Sequence, residues 1–222
     1  MKKQLITTTD GSHSFYLEEM DEHYHSKHGS IAETQHIFIQ AGFNEVCQRK
    51  KHFNIFEVGM GTGLNVFLTA IAAERERAKV FMKSIEAFPL QTEEAKQLNF
   101  AEYLEADTAL FERIHSAEWE KAFQLNENFR LHKVKGKLQG FTFNEKYDLI
   151  YFDAFAPEKQ EELWTEEIFT KLFEAMNEGG ILVTYCVKGI IRRRLQGIGF
   201  EIEKLPGPKN GKREMLRARK SA

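Results

Sequence analysis

Cysteine is nearly missing: Cys47 and Cys186 stand far apart, with no Cys-x-x-Cys and no His/Cys ligand spacing around them. That excludes a disulfide framework and a structural zinc site, and it suits a reducing compartment. Proline is almost as scarce, with four in 222 residues (Pro89, Pro157, Pro206, Pro208), and no Ser/Gly/Pro-rich linker interrupts the chain. Residues 1–222 are expected to form a single domain, 1–50 being a hairpin-and-helix extension of a core over 51–222. No apolar run approaches the roughly 18 residues of a membrane helix. The start is basic but runs into Thr7, Thr8, Thr9 and Asp10, too polar for a signal peptide. A soluble, cytoplasmic protein without a membrane partner is expected, and its 42% apolar content suffices for a sizeable core.

Net charge is also small, −2, but unevenly spread. From Lys188 to Ala222 there are 11 Lys/Arg against 3 Asp/Glu, which leaves 20 against 30 elsewhere. A basic block beside an acidic body fits a polyanionic partner on one face, or a solvated basic tail.

Glycine is concentrated where it carries meaning. Phe53-Asn-Ile-Phe-Glu-Val-Gly-Met-Gly-Thr-Gly-Leu-Asn65 is a short apolar strand, then Gly59, Gly61 and Gly63 in alternation, then an apolar helix from Leu64. Glycines serve where φ is positive or where a ligand lies against the backbone, and the helix start aims unpaired N–H groups at that ligand. A dinucleotide fingerprint needs Gly-x-Gly-x-x-Gly; here the third glycine comes one place early. Glu57-x-Gly-x-Gly-x-Gly with Asn65 resembles instead the first motif of class I S-adenosyl-L-methionine methyltransferases.

Around that loop the pattern alternates strand and helix. Asp10-Gly11 between two β-prone runs predicts a hairpin, and Ser30 with Glu33 a capping box opening a helix to about Cys47. Strands are expected at Phe53–Val58, Val80–Glu86, Arg130–Val134, Tyr147–Asp153 and Ile181–Cys186. Helical periodicity covers Pro89–Leu125 and Trp164–Asn177, the latter closed by Gly179-Gly180. A basic helix over about Gly189–Ile198 precedes an antiparallel pair, Phe200–Leu205 and Glu214–Arg217. The expected fold class is α/β, Rossmann-like, with a mostly parallel sheet and ligands at the carboxyl ends of the strands.

Three strand ends carry acids: Glu57, Glu86 and Asp153. Glu86, about 29 residues beyond Glu57, stands where such folds place a carboxylate on ribose hydroxyls, two oxygens matching a vicinal diol. Asp153 is placed to accept an N–H hydrogen bond from an amine and receive its proton. Tyr16 and Tyr24 are candidates to line the cleft. His25, His28 and His36 are too scattered for a metal site, and no metal is expected.

Larger stretches give a more specific resemblance. Phe152-Asp-Ala-Phe-Ala-Pro157, Glu162-Leu-Trp-Thr165 with Phe169, and Lys212-Arg-Glu-Met-Leu216 resemble the methyltransferase domain of the MnmC tRNA-modification family. So do Asp10-Gly-Ser12 with Tyr16, Tyr24-His-Ser26, Glu33–Phe38, Ser84–Leu90 and Gly189–Arg193, pieces spread over about residues 10–217. The resemblance implies a class I fold with a seven-stranded sheet and methyl transfer from S-adenosyl-L-methionine. The acceptor would be the exocyclic amine of 5-aminomethyl-(2-thio)uridine at the tRNA wobble position. It further implies a stand-alone form without the FAD oxidase domain, whose substrate upstream tRNA-modifying enzymes supply. The donor would be held by Glu57, Gly59, Gly61, Gly63, Asn65 and Glu86. The tRNA anticodon region would be held by Tyr16, Tyr24, Lys188, Arg192, Arg193, Lys212 and Arg213, with Asp153 catalytic. One departure stands out: between strands 3 and 4 the family carries an acid near adenine, whereas Lys133–Leu138 offers only bases. Backbone groups, or Asp107 from the preceding segment, would have to serve. Two other readings remain open: a small-molecule amine methyl- or aminopropyltransferase on the same fold, and a non-catalytic RNA-binding module.

Overall fold

The computed structural model describes residues 2–208 and 213–221. Asp10-Gly11 joins the expected hairpin of β1 (Lys3–Thr7) and β2 (His13–Leu17), to which β3 (Glu22–His23) adds a short strand. Helix follows in one run: α1 (Ser30–Thr34), a π-helical stretch (Gln35–Phe43) and α2 (Asn44–Cys47). The expected capping box is not formed. Gly29 is the residue that precedes the helix, Glu33 accepts from the Ser26 N–H (3.0 Å), and the Ser30 hydroxyl is tied to Ser12 (3.0 Å). Asp10, in the hairpin turn, supplies the anion at the helix start by accepting from the Ala32 N–H (3.4 Å). The π stretch lies close on the sheet, since a Cβ at Gly42 would come within 3.1 Å of Val183 and 3.2 Å of Tyr151.

The core continues with β4 (His52–Val58), α3 (Leu64–Arg75), β5 (Lys79–Glu86), the single turns α4 (Thr92–Ala95) and α5 (Phe100–Tyr103), and α6 (Thr108–Ser116). Then come β6 (Ala122–Asn126), β7 (Phe129–Lys135), β8 (Tyr147–Phe152), α7 (Glu166–Glu174), β9 (Met176–Thr184), α8 (Gly189–Ile198), β10 (Phe200–Pro206) and β11 (Glu214–Lys220). These strands form one sheet in the order β10-β11-β9-β8-β4-β5-β7-β6, eight strands where seven were expected. β9, β8, β4, β5 and β7 run parallel, while β11, β10 and β6 are antiparallel to their neighbours. The additional strand is β6, which pairs with β7 inside the segment read as helical. Phe123 and Leu125 alternate along an edge strand, yet their spacing from Phe111, Ile114 and Trp119 also fits a helical period. Gly179 and Gly180 close no helix: α7 stops at Glu174, and both glycines lie in β9 where its register against β8 shifts. Such a bulge tolerates the positive φ (71°) of Gly179. No described helix is long and apolar enough to cross a membrane.

Side-chain alternation decides what each sheet face buries. On β8, Leu149 and Tyr151 join the cluster under α3, α6 and the π stretch, with Phe38, Phe67 and Phe111. Ile150 and Phe152 join the opposite cluster, with Trp164, Phe169, Leu172 and Leu195 of the α7 and α8 side. The same parity governs the acids. Glu57 follows Phe53 and Ile55, Ser84 and Glu86 follow Met82, and Asp153 follows Leu149 and Tyr151. All three carboxylates therefore point to the α3 side, at the carboxyl edge. β4 lies between β5 and β8, so the strand order reverses where these acids meet, and there an open α/β sheet leaves its crevice.

Candidate active site

The strand ends are stitched together before any side chain is considered. Gly59 N–H donates to Ile85 O and Asp153 N–H to Val58 O, both at 3.0 Å. Gly59, Gly61 and Gly63 have φ of 87°, 50° and 75°, and Gly63 leads directly into α3. Over this loop opens a cavity lined by Gly59, Gly61, Asn65, Glu86, Tyr24 and Asp153, with Gly136–Gln139 opposite. Six of the residues expected in the site thus share one wall system.

Glu86 does not hang free. Its Oε2 accepts from Gly61 N–H (3.0 Å) and its Oε1 from Phe88 N–H (2.8 Å). The carboxylate is thereby fixed against the loop, and each oxygen keeps a second lone pair for a hydroxyl. Asn65, from the first turn of α3, donates its amide N–H to Asp153 Oδ2 (2.8 Å). Glu57 lies beneath, wholly buried, accepting a hydrogen bond from the Ser84 hydroxyl. Burial, opposed by that hydroxyl and reinforced by the charges of Asp153 and Glu86, pushes its carboxyl up to about 8. At neutral pH Glu57 is mostly a neutral acid. The Asn65 side chain, which lies over it, also hydrogen-bonds the Glu57 carboxyl.

Two histidines grip the loop at Thr62. His25 Nε2 meets the Thr62 hydroxyl at 2.6 Å, and His115 Nε2 donates to the Thr62 carbonyl at 3.2 Å. Burial holds His25 down at about 4; burial together with the Lys133 ammonium holds His115 at about 4. Both are neutral clamps. A histidine whose folded pKa lies below its unfolded value of roughly 6.5 leaves stability intact above that pH and removes it as pH falls toward the folded pKa. Between pH 6.5 and 4.5 each should cost about 2–3 kcal/mol, partly offset by Glu57, whose raised pKa works in the opposite direction. Urea denaturation at the two pH values should show this acid loss, and His25→Gln with His115→Gln should largely abolish it. An unchanged slope in the double variant would contradict the assignment.

Other expectations need correction. Tyr16 lies outside the cavity: Phe15 and Leu17 point inward on β2, so Tyr16 points outward, where its hydroxyl donates to Asp21 (2.8 Å). Asp107 caps α6 through the Ala109 N–H (2.9 Å) and does not approach the cavity. Lys133 is buried and donates to the Ile114 and His115 carbonyls (2.8 and 3.0 Å), so of that basic run only Lys137 borders the cavity, beside the buried Leu138.

The basic block is partly structural. Arg217 and Arg219 are paired with Glu45 and Glu203, Lys204 with Glu214, and Lys188 with Glu158. Arg194 donates to the Trp164 carbonyl (2.6 Å). Arg193 and Arg213 remain exposed, and Arg192 is half-buried. None of Lys188, Arg192, Arg193 and Arg213 lines the cavity, and Lys209 and Lys212 lie outside the described residues. Among the described residues no group of three His, Cys, Asp or Glu could hold a metal ion.

The glycine cradle and the carboxylates of Glu86 and Asp153 on the cavity wall fit S-adenosyl-L-methionine, which has a ribose diol and a cationic amino-acid end to satisfy. Comparison with known proteins agrees. Over 214 residues the chain is 32% identical to the tRNA 5-methylaminomethyl-2-thiouridine biosynthesis bifunctional protein MnmC of Hydrogenovibrio crunogenus, covering 88% of this chain and 31% of that protein. The MnmC of Cupriavidus metallidurans is 29% identical over 229 residues, 96% of this chain and 33% of that protein. The chain thus spans about a third of the length of these curated relatives. The crystal structure of MNMC2 from Aquifex aeolicus shares the fold with a TM-score of 0.80, at 24% identity over all of this chain and 71% of that one. Spermidine synthase from Thermotoga maritima shares the fold more distantly, with a TM-score of 0.58 at 13% identity, covering 100% of this chain and 72% of that one. A family model described as S-adenosyl-L-methionine-dependent methyltransferase matches residues 76–221, well over half the length. The chain belongs to that methyltransferase family.

Proposed function

We propose that the chain methylates the exocyclic amine of 5-aminomethyl-(2-thio)uridine at the wobble position of tRNA, acting over residues 1–222 as one methyltransferase unit. The observation that carries this reading is the Asp153 carboxylate, oriented by Asn65 on the wall of the donor cavity, with MnmC proteins as the relatives. S-adenosyl-L-methionine, when bound, supplies a methyl group activated by its sulfonium. Gly59, Gly61 and Gly63 would hold it along the loop, Glu86 would accept from the ribose hydroxyls, and Asn65, backed by the buried Glu57, would complete the floor. Backbone groups of residues 136–139, with Leu138 and Ile85 as apolar walls, take the adenine in place of an acid.

Asp153 accepts a hydrogen bond from the incoming amine, keeps its lone pair aimed into the donor cavity and takes up the proton that methylation releases. Tyr24, whose hydroxyl burial and the Glu86 charge keep protonated, walls the same space. Arg192, Arg193 and Arg213, with Lys188 and Lys212, meet the phosphates of the anticodon region, supplying register more than sequence information. We place the reaction in the cytoplasm, after other tRNA-modifying enzymes have made the aminomethyl acceptor. The relatives do not favour an aminopropyltransferase or a non-catalytic RNA-binding module.

In cells lacking the chain, mass spectrometry of wobble nucleosides should show the aminomethyl form accumulating at the expense of the methylaminomethyl form. Restoring the wild-type chain should reverse this, while an Arg192→Glu/Arg193→Glu chain at equal abundance should restore it only in part. Unchanged wobble nucleosides in the deletion would refute the reading.

A further inference from the structure

A second cavity, of ≈ 310 Å³, backs onto the first, at the lower end of the range for small-molecule sites. Tyr24, His25, Asp153, Ala154 and Phe155 line both. The partition between them is the edge-to-face pair of Tyr24 and Phe155, with ring centroids 5.3 Å apart. Beyond that partition the walls come from the segment around and after β3, with His23, Ser26, Lys27 and His28, and from Tyr185 just past β9. Tyr185 is fixed by donating its hydroxyl to the Ala154 carbonyl (2.8 Å).

The chemistry of this cavity is graded. Asp153 forms its inner end, Tyr24, Phe155 and Tyr185 offer aromatic walls, Glu22 and Glu33 add half-buried carboxylates that accept from the His23 and Ser26 N–H groups, and Lys27 and His28 are exposed at the rim. His23 is held against the Tyr16 ring (4.7 Å between centroids), and its Nδ1 is buried without a partner. Burial and the nearby Lys27 ammonium keep His23 below its ordinary pKa, so it presents a neutral imidazole that donates from one nitrogen and accepts at the other. The Asp153 carboxylate, the aromatic faces, the neutral His23 imidazole and the Lys27 ammonium complement in turn an amine, a flat heterocycle, a base edge and a phosphate.

We infer that this second cavity is the acceptor site, taking a pyrimidine nucleotide with a primary amine on a short arm: the amine at Asp153, the base edge at His23 and the phosphate at Lys27. The inference rests on the methyltransferase reading above and assigns the N-terminal extension the task of selecting the acceptor. Donor and acceptor enter by separate mouths and meet across the Tyr24–Phe155 partition.

The test uses the full chain, S-adenosyl-L-methionine and tRNA carrying 5-aminomethyluridine. Lys27→Glu and His23→Ala should each raise the KM for tRNA by about tenfold, as expected for losing one charge-assisted or base-edge contact. Donor Kd, measured by calorimetry, should stay within about twofold, and kcat should change little. An unaltered tRNA KM in both variants, while the wild type turns over, overturns the acceptor site and leaves the proposed reaction standing. A parallel loss of donor affinity also overturns it, because the two mouths would not be separate. No turnover by the wild-type chain on this tRNA defeats the reaction itself.

Discussion

Replacing Asp153 by alanine should lower the rate of methyl transfer by about 10²–10⁴-fold, the range over which a positioned acid or base contributes. Donor affinity should remain within about threefold, because Glu86 and the glycine loop are tied to one another and only Asn65 among the donor's holders is bonded to the Asp153 carboxylate. The fold should also survive. Asp153 is only half-buried, and the lost partner of Asn65 costs about 1 kcal/mol. Single-turnover kinetics with labelled donor, together with urea denaturation, separate these quantities. A variant that keeps wild-type turnover would remove Asp153 from the chemistry. One that loses donor binding would make it part of the donor site.

The second large effect should come from a single methyl group. A Cβ at Gly59 would stand 2.6 Å from the Asp153 carbonyl oxygen, at a φ of 87° that L side chains rarely adopt. That oxygen cannot retreat easily, since Asp153 N–H is bonded to Val58 O and β8 is anchored between β4 and β9. Backbone strain and the clash together should cost about 2–4 kcal/mol. Because the Gly59 loop and the Asp153 strand end are pushed apart, donor affinity and turnover should fall with stability. Calorimetric titration of donor with Gly59→Ala should show at least about a hundredfold weaker binding. Gly197→Ala is the control: its Cβ meets nothing within 4 Å, and it lies inside α8. It should be neutral or stabilising by up to about 1 kcal/mol. Equal behaviour of the two variants would mean that the loop and the strand end are not rigidly coupled.

Much of the site was legible because it follows from periodicity. The glycine spacing marked the loop, and the strand ends brought Glu57, Glu86 and Asp153 to one edge of the sheet, while the face they share came only with the structure. Strand alternation, applied to β2, would have turned Tyr16 outward, since Phe15 and Leu17 are the apolar residues there. Contacts across long sequence separations were not legible. Nothing local in His25 or His115 announces that both grip Thr62, and nothing in Asn65 says that its amide reaches Asp153. The basic block was misjudged in part for a similar reason. Counting charges ignores register, and Arg217 lies directly opposite Glu203 across the β10–β11 pair, so one of its cations is neutralised by strand pairing. β6 escaped because a five-residue edge strand shares its apolar spacing with the helix before it.

The most direct measurement is the fate of the donor's methyl group. The purified chain would be incubated with S-adenosyl-L-methionine carrying a deuterated methyl and with tRNA bearing 5-aminomethyl-(2-thio)uridine, and the nucleosides then resolved by mass spectrometry. The account predicts the label on the exocyclic amine of the wobble nucleoside and on no other, with the Asp153→Ala chain leaving that nucleoside unlabelled. Label on a different nucleoside, or donor consumed with all tRNA nucleosides unlabelled, would contradict it.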